Sequence, residues 1–99
     1  MAKVIWKFDI GDFTNEDNII SLPKDTQILD IQLQYEVVCL WAVVDPTAET
    51  EKRHFILAMT GQDIENYSKE THKYITTLQI DGGIFDEVLV VHIFEIASE

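Results

Sequence analysis

The fold is decided by residues 29–46, LDIQLQYEVVCLWAVVDP. Residues 29–35 alternate apolar and polar side chains with a period of two, which is typical of a β-strand with one buried face. Residues 38–44 are apolar on both faces, which predicts a central strand covered on both sides. A tight connection near Glu36 joins the two strands. Pro46 ends the second one because proline has no N–H to donate to a sheet.

Loops interrupt the same period-two pattern elsewhere in the chain. Gly11 to Asn18 and residues 47–52 are predicted loops, and Asp81-Gly82-Gly83 is a turn signal. Residues 62–73 are strongly polar, and both a single helical turn and an irregular loop are open for them. We therefore predict one all-β domain over residues 1–99, a small antiparallel β-sandwich or barrel-like sheet pair of six to seven strands with at most one short helix. The further strands are expected at residues 4–10, 19–22, 53–60, 74–80 and 88–94.

The composition excludes several classes of protein. The formal net charge of −11 argues against a duplex nucleic acid partner, whose phosphates require a basic surface. The acidic surface is interpreted as a solubility device, with mimicry of a nucleic acid or an acidic partner as the alternative. No apolar run approaches the roughly 20 residues that cross a bilayer, and the N-terminus has no signal-peptide pattern. We expect a cytoplasmic protein that does not contact membranes.

The chain contains cysteine, histidine and serine, but not at the sequence spacings that are typical of catalytic or metal sites. Cys39 is the only cysteine and lies in an apolar run, which favours a buried thiol. The three histidines lack the spacing of a metal site, and no serine stands in a nucleophile motif. We expect no catalytic residues, no metal, no cofactor and no enzymatic activity. The histidines are His54, His72 and His92, and the serines are Ser21, Ser68 and Ser98.

A few flat or basic side chains are candidates for ligand binding. Trp6 and Trp41 can stack on a nucleobase, although core packing is the alternative for each. Arg53 is the only arginine. Its planar guanidinium suits a phosphate, and Lys7 is a second base near a strand. The alternative for the arginine is a salt bridge to a neighbouring acid, Glu49 or Glu51.

Two of the predicted strands are apolar on both faces, and a chain of 99 residues has little other structure to cover them. The surplus apolar surface can be covered by self-association, so we expect a homo-oligomer. An oligomer could also bring Arg53 and Lys7 from different copies into one basic pocket.

An ordered set of short motifs resembles a family of short uncharacterised proteins from bacteriophages and prophages. Two departures from that family are Gln62, where a histidine is usual, and the added residues 84–87. The motifs are Val4-Ile5-Trp6-Lys7-Phe8, Leu22-Pro23, Leu40-Trp41-Ala42-Val43-Val44-Asp45-Pro46, Arg53-His54-Phe55, Thr60-Gly61 and Val91-His92-Ile93-Phe94-Glu95.

That family is similar to viral immune-evasion sponges, which bind cyclic oligonucleotide signals of bacterial antiphage defence. The resemblance implies an oligomer in the host cytoplasm that sequesters a cyclic nucleotide without cleaving it. In this hypothesis Trp6 or Trp41 stacks on a base and Arg53 contacts phosphate together with Lys7. The base edge is bonded by Thr60 or His92. The alternative hypothesis is an acidic interaction or assembly module that blocks a host protein.

Overall fold

The computed structural model describes residues 2–11, 17–81 and 88–97. All strand pairs in these ranges are antiparallel, and they form a three-stranded sheet β1-β4-β3 and a four-stranded sheet β2-β5-β7-β6. The predicted all-β sandwich is therefore confirmed. The strands are β1 (Val4–Gly11), β2 (Asp17–Pro23), β3 (Gln27–Gln34), β4 (Val37–Val44), β5 (Thr50–Met59), β6 (His72–Asp81) and β7 (Val88–Ile96). Within the described ranges no helix is long and apolar enough to cross a membrane.

The hydrophobic core lies between the two sheets and is built from alternate residues of their strands. Leu40 of β4, Phe55 of β5 and Ile93 of β7 are completely buried. Their neighbours in sequence face the opposite side of each sheet, as the two-residue period requires. The inner faces of both sheets are thus mainly apolar, and most polar side chains that can meet a ligand are carried by the outer faces.

β4 is the middle strand of its sheet, as its apolar sequence predicts. Its inner face is buried, and Trp41 points the other way from Leu40, as expected. The face of β4 that points away from the core carries Val37, which is 41% exposed, and half-buried Trp41 and Val43. Within residues 38–44 the inner face is thus covered as predicted, whereas the opposite face is fully covered only at Cys39, which is 2% exposed.

Two residues that the alternation assigns to the buried face of the first strand, Leu29 and Tyr35, do not join the core, and backbone geometry explains both. Leu29 lies at a register shift between β3 and β4 and is 47% exposed. A bulge of this kind turns one side chain away from the face that alternation assigns to it. Tyr35 and Glu36 have positive φ angles of 51° and 69° and form the two-residue turn between β3 and β4. Tyr35 is consequently 94% exposed.

Several strands are longer than the sequence pattern predicts. Gly11 and Asp17 belong to strands rather than to the predicted loop, and β5 begins at Thr50 within the predicted loop 47–52. Asp17 and Thr50 are accommodated because their side chains at these strand ends are exposed to solvent. Residues 62–71 form irregular turns without a helix. The Gly82-Gly83 turn and the added residues 84–87 lie outside the described residues.

Candidate functional site

The face of the four-stranded sheet that points away from the core, called here the outer face, carries most of the polar and aromatic groups. Strand register places these groups in rows, because directly paired residues point to the same side of a sheet. The rows are Ile19, His54, Ile96 and His72; Asp17, Ile56, Phe94 and Tyr74; and Ala58, His92 and Thr77.

A cavity of about 500 Å³ lies between the outer face and residues 62–66, and we call it the loop cavity. Its floor is apolar, with Ile56, Ala58 and Ile96 in the middle. The volume lies within the range of about 300–1,000 Å³ typical of small-molecule pockets. The cavity forms because β7 lies between β5 and β6, so residues 60–71 have to cross the sheet to connect these strands, and residues 62–66 of the connection line the cavity.

An imidazole–carboxylate pair stands at one end of the loop cavity. Nε2 of His54 is 3.0 Å from Oδ1 of Asp17, and both residues line the cavity. The pair joins β5 to β2, where Asp17 is the first residue of the strand. The side chains are 40% and 74% exposed, so solvent screens their attraction strongly.

A second histidine, His72, stands at the opposite end of the same row and is only 8% exposed. Its Nδ1 lies 3.4 Å from the backbone N of Ser68 and 2.7 Å from Oγ1 of Thr71. Tyr67 packs edge-on against His72 and Phe94, with ring centroids 5.1 and 6.0 Å apart. These contacts fix the loop over the sheet and give the cavity a defined wall.

Four side chains form a hydrogen-bonded chain on the outer face beside the loop cavity. Nε2 of His92 is 2.8 Å from Oγ1 of Thr60, and its Nδ1 is 3.0 Å from Oγ1 of Thr77. The hydroxyl of Tyr74 is 2.7 Å from the same Thr77 oxygen. His92 pairs across the sheet with Ala58, which lines the loop cavity, so the chain continues the floor of that cavity.

Arg53 lies on the other side of the same sheet, in a cavity of about 280 Å³ between β3 and β6 that we call the inter-sheet cavity. Its guanidinium bonds Glu95 through Nε at 2.5 Å and Nη2 at 2.8 Å, rather than Glu49 or Glu51. The hydrogen bonds that Arg53 donates to Glu95 raise the pKa of Arg53, while burial acts in the opposite direction. Lys73 also lines this cavity.

Trp6, Lys7 and Trp41 belong to the three-stranded sheet. Lys7 pairs directly with Trp41 on the face of that sheet that points away from the core. Its ammonium nitrogen donates to Oε1 of Gln34 at 2.7 Å. Trp6 points to the opposite side, is 40% exposed and packs edge-on against Phe8 at 6.1 Å.

The sequence-predicted ligand residues therefore occupy separate places. Thr60 and His92 meet on the outer face, Lys7 and Trp41 meet on the other sheet, and Arg53 lies between the sheets. The first pair lies beside the larger cavity, so the loop cavity with the His92 chain is the candidate site.

Sequence reasoning missed the residues that line the loop cavity, above all Asp17, His54 and His72 with the loop acids Asp63 and Glu65. The available signal for this site was the alternation in β5, which places His54 and Ile56 on the face that points away from the core. It was not sufficient, because nothing in the pattern says that residues 62–66 fold back over that strand.

The lining of the loop cavity is acidic. Asp17, Asp63 and Glu65 contribute carboxylates, and no lysine or arginine is among the lining residues that the structure describes. In the described ranges no group of three or more histidine, cysteine, aspartate or glutamate side chains could hold a metal ion. The acids are thus placed to accept hydrogen bonds from N–H groups of a ligand.

Comparison with curated proteins and with solved structures gave no match. The chain matches over residues 1–99 the family described as Domain of unknown function (DUF7352). Because this match spans the whole chain, the protein belongs to the DUF7352 family.

Proposed function

We propose that the protein binds a cyclic nucleotide signal and sequesters it without cleaving it. The observation that carries the proposal is the loop cavity of about 500 Å³ beside the Thr60–His92–Thr77–Tyr74 chain. The apolar floor suits the flat face of a base, and the chain offers hydrogen-bonding groups to its polar edge. The resemblance to phage sponge proteins supports the ligand class, and with it a phage origin and a site of action in the host cytoplasm.

The charges on the outer face suggest how such a ligand lies. Phosphates are repelled by the carboxylates of the lining and attracted by the cations nearest to it. Lys52 lies two residues before His54 in β5, and by alternation it faces the same side. We therefore place the phosphates beside Lys52, at the end of the cavity where the Asp17 carboxylate is already paired with His54.

The direct test is titration calorimetry with a panel of cyclic di- and trinucleotides. Binding of one member supports the proposal, and the absence of heat at tens of micromolar protein with every member overturns it. Chromatography of the bound nucleotide after long incubation tests sequestration against turnover. The exposed His54–Asp17 pair could act as a general base, so recovery of a cleaved product from the wild type but not from H54Q would overturn the non-catalytic part.

Two lysine variants locate the binding site. K52Q is expected to weaken nucleotide binding about two- to fivefold, the effect of one exposed charge contact. K73Q removes the same charge at the mouth of the inter-sheet cavity and is the matched control. A loss of affinity in K73Q but not in K52Q would move the phosphate site to Arg53 and the inter-sheet cavity.

Self-association is proposed alongside binding. Ile5, which is 60% exposed, pairs with Val43 and borders Trp41 on the solvent side of the three-stranded sheet. A second copy seated on this apolar strip would bury it. Light scattering tests the proposal, and a monomer mass at all concentrations for both the wild type and I5K would overturn it.

The second candidate function is an acidic module that blocks a host protein. The net charge of −11 favours a basic partner surface. A stable host complex recovered by pull-down, together with no binding of any cyclic nucleotide, would favour this candidate over sequestration.

A further inference from the structure

We propose that the loop cavity is a guanine-binding subsite. This inference rests on the proposed function insofar as the ligand is a nucleotide, and it specifies the base. It combines two features of the cavity, a buried hydrogen-bond donor at one end and unpaired carboxylates on the loop.

The donor is Nε2 of His72. The backbone N–H of Ser68 can only donate, and it points at Nδ1 from 3.4 Å. A neutral imidazole whose Nδ1 accepts a hydrogen bond carries its proton on Nε2. In this tautomer the hydroxyl of Thr71, whose Oγ1 lies 2.7 Å away, also donates to Nδ1. Nδ1 is therefore occupied from within the loop, and the ring presents an N–H group at its other nitrogen.

His72 is 92% buried, since only 8% of its surface is accessible, and it lines the loop cavity. Its Nε2 has no hydrogen-bond partner among the described residues, yet no fully buried side-chain nitrogen or oxygen there lacks a partner. Nε2 therefore keeps some accessible surface, and we assign that surface to the cavity that His72 lines. A buried donor of this kind calls for an acceptor atom on whatever fills the cavity.

The acceptors are the carboxylates of Asp63 and Glu65. Both line the cavity, and neither forms a hydrogen bond or ion pair with another residue in the described part of the chain. Asp17, by contrast, is already paired with His54. A complementary ligand thus has N–H donors facing the loop side of the cavity and an acceptor atom facing His72.

Guanine matches this arrangement better than the other bases. Its N1–H and N2–H groups are adjacent donors that fit the two oxygens of one carboxylate, and its O6 and N7 atoms are acceptors on the next edge. Adenine and cytosine each place a ring-nitrogen acceptor beside the amino group, where it would face the carboxylate. Uracil has one N–H between two carbonyl oxygens.

An organic cation is the competing ligand, because carboxylates attract ammonium groups. It would leave the N–H of His72 without an acceptor and would place a positive charge against a donor. The cavity also has an apolar floor formed by Ile56, Ala58 and Ile96, which suits a flat ring. The observations therefore favour the base.

The test compares guanosine, inosine, adenosine and spermidine by titration calorimetry, together with cyclic di-GMP and cyclic di-AMP. Guanosine should bind, and inosine, which lacks only the 2-amino group, should bind about tenfold more weakly. Cyclic di-GMP should bind more tightly than cyclic di-AMP by a similar factor.

The variant D63N/E65Q should lose about tenfold or more in guanosine affinity, because an amide presents only one acceptor and adds a donor. D25N/E49Q removes the same two charges from residues outside both cavities and should bind guanosine like the wild type. This control separates a specific contact from the general effect of the negative net charge. Urea unfolding confirms that both variants are folded.

The possible outcomes distinguish the two proposals. Guanosine binding with the expected sensitivity, but no binding of any cyclic nucleotide, supports the subsite and overturns the proposed function. Cyclic di-GMP binding that D63N/E65Q leaves unchanged overturns the subsite and leaves sequestration standing. Spermidine binding that is lost in D63N/E65Q, without guanosine binding, overturns the subsite in favour of a cation site. No binding of any probe, together with no binding of any cyclic trinucleotide, overturns both proposals.

Discussion

Arg53 of β5 and Glu95 of β7 form a bidentate ion pair, with Nε 2.5 Å from Oε2 and Nη2 2.8 Å from Oε1. A further N–H of the same guanidinium, on Nη1, donates to the backbone oxygen of Thr26 at 2.6 Å. Thr26 directly precedes β3. One side chain thus connects two strands of the four-stranded sheet to the segment that enters the three-stranded sheet.

Removal of Arg53 should destabilise the protein. We expect R53M to lower the free energy of unfolding by about 2–4 kcal/mol, because it leaves the Glu95 carboxylate, 15% exposed, without its partner. Urea denaturation measures the change. R53M/E95M removes both charges and should recover most of the loss, and R53K should be intermediate because lysine lacks the planar fork. An R53M protein as stable as the wild type would show that the pair makes no net contribution.

The hydrogen-bonded chain on the outer face gives a second prediction. T77V removes the hydroxyl that joins His92 to Tyr74, and we expect a loss of about 1–2 kcal/mol in the free energy of unfolding. T76V makes the same chemical change one residue earlier, on the inner side of β6, and should be neutral or slightly stabilising. Equal effects in the two variants would argue that the chain contributes nothing specific.

The strands and their inward faces could be predicted from the sequence. Every second residue of a strand faces the core, so the local alternation of apolar and polar residues reveals which face is buried. Leu40 and Phe55 follow that rule, and both are fully buried. Leu29 and Tyr35 could not be placed this way. A bulge and a turn of positive φ depend on the register between strands, which the hydrophobic pattern does not contain.

The candidate site was less accessible to sequence reasoning. Thr60 and His92 are 32 residues apart and meet only because β5 pairs with β7, a non-sequential neighbour. The partner of Arg53 is hidden for the same reason, since Glu95 is 42 residues away in sequence whereas Glu49 and Glu51 are its sequence neighbours. To predict a site that is formed across a sheet, one has to know the strand order, and the strand order depends on how all strands pack together.

Tyr67 should hold the loop over the sheet. Its ring contacts His72 and Phe94 although it is 51% exposed. We expect Y67A to lower the free energy of unfolding by about 1 kcal/mol and to speed amide hydrogen exchange in residues 62–71 severalfold. Y35A removes the same side chain from a 94% exposed position and is the control. Unchanged exchange in Y67A would mean that the loop backbone alone maintains the cavity.

Cys39 should be protected from thiol reagents by a side-chain bridge. It lies on the solvent side of β4 but is only 2% exposed. Lys7 of β1 pairs with Trp41 of β4, and Gln34 of β3 pairs with Val37 of β4. The hydrogen bond that Lys7 donates to Gln34 therefore crosses β4 at Cys39, midway between residues 37 and 41. We expect K7A to label with a disulfide reagent at pH 8 at least severalfold faster than the wild type, while K3A labels like the wild type. Equal slow rates in both variants would exclude the bridge as the cause of protection.

The same thiol should make stability depend on pH in the alkaline range. Burial raises the pKa of Cys39 above 9.0, and the hydrogen bond and negative charge of Asp9 act in the same direction. The folded protein therefore retains the thiol proton at a pH where the unfolded chain has lost it, so this contribution to stability is complete below about pH 9 and declines as the pH rises further. In C39A that contribution is missing, and the difference in unfolding free energy between the wild type and C39A should shrink from pH 8.5 to pH 10.5. A constant difference across this range would show that the thiol ionises equally in both states.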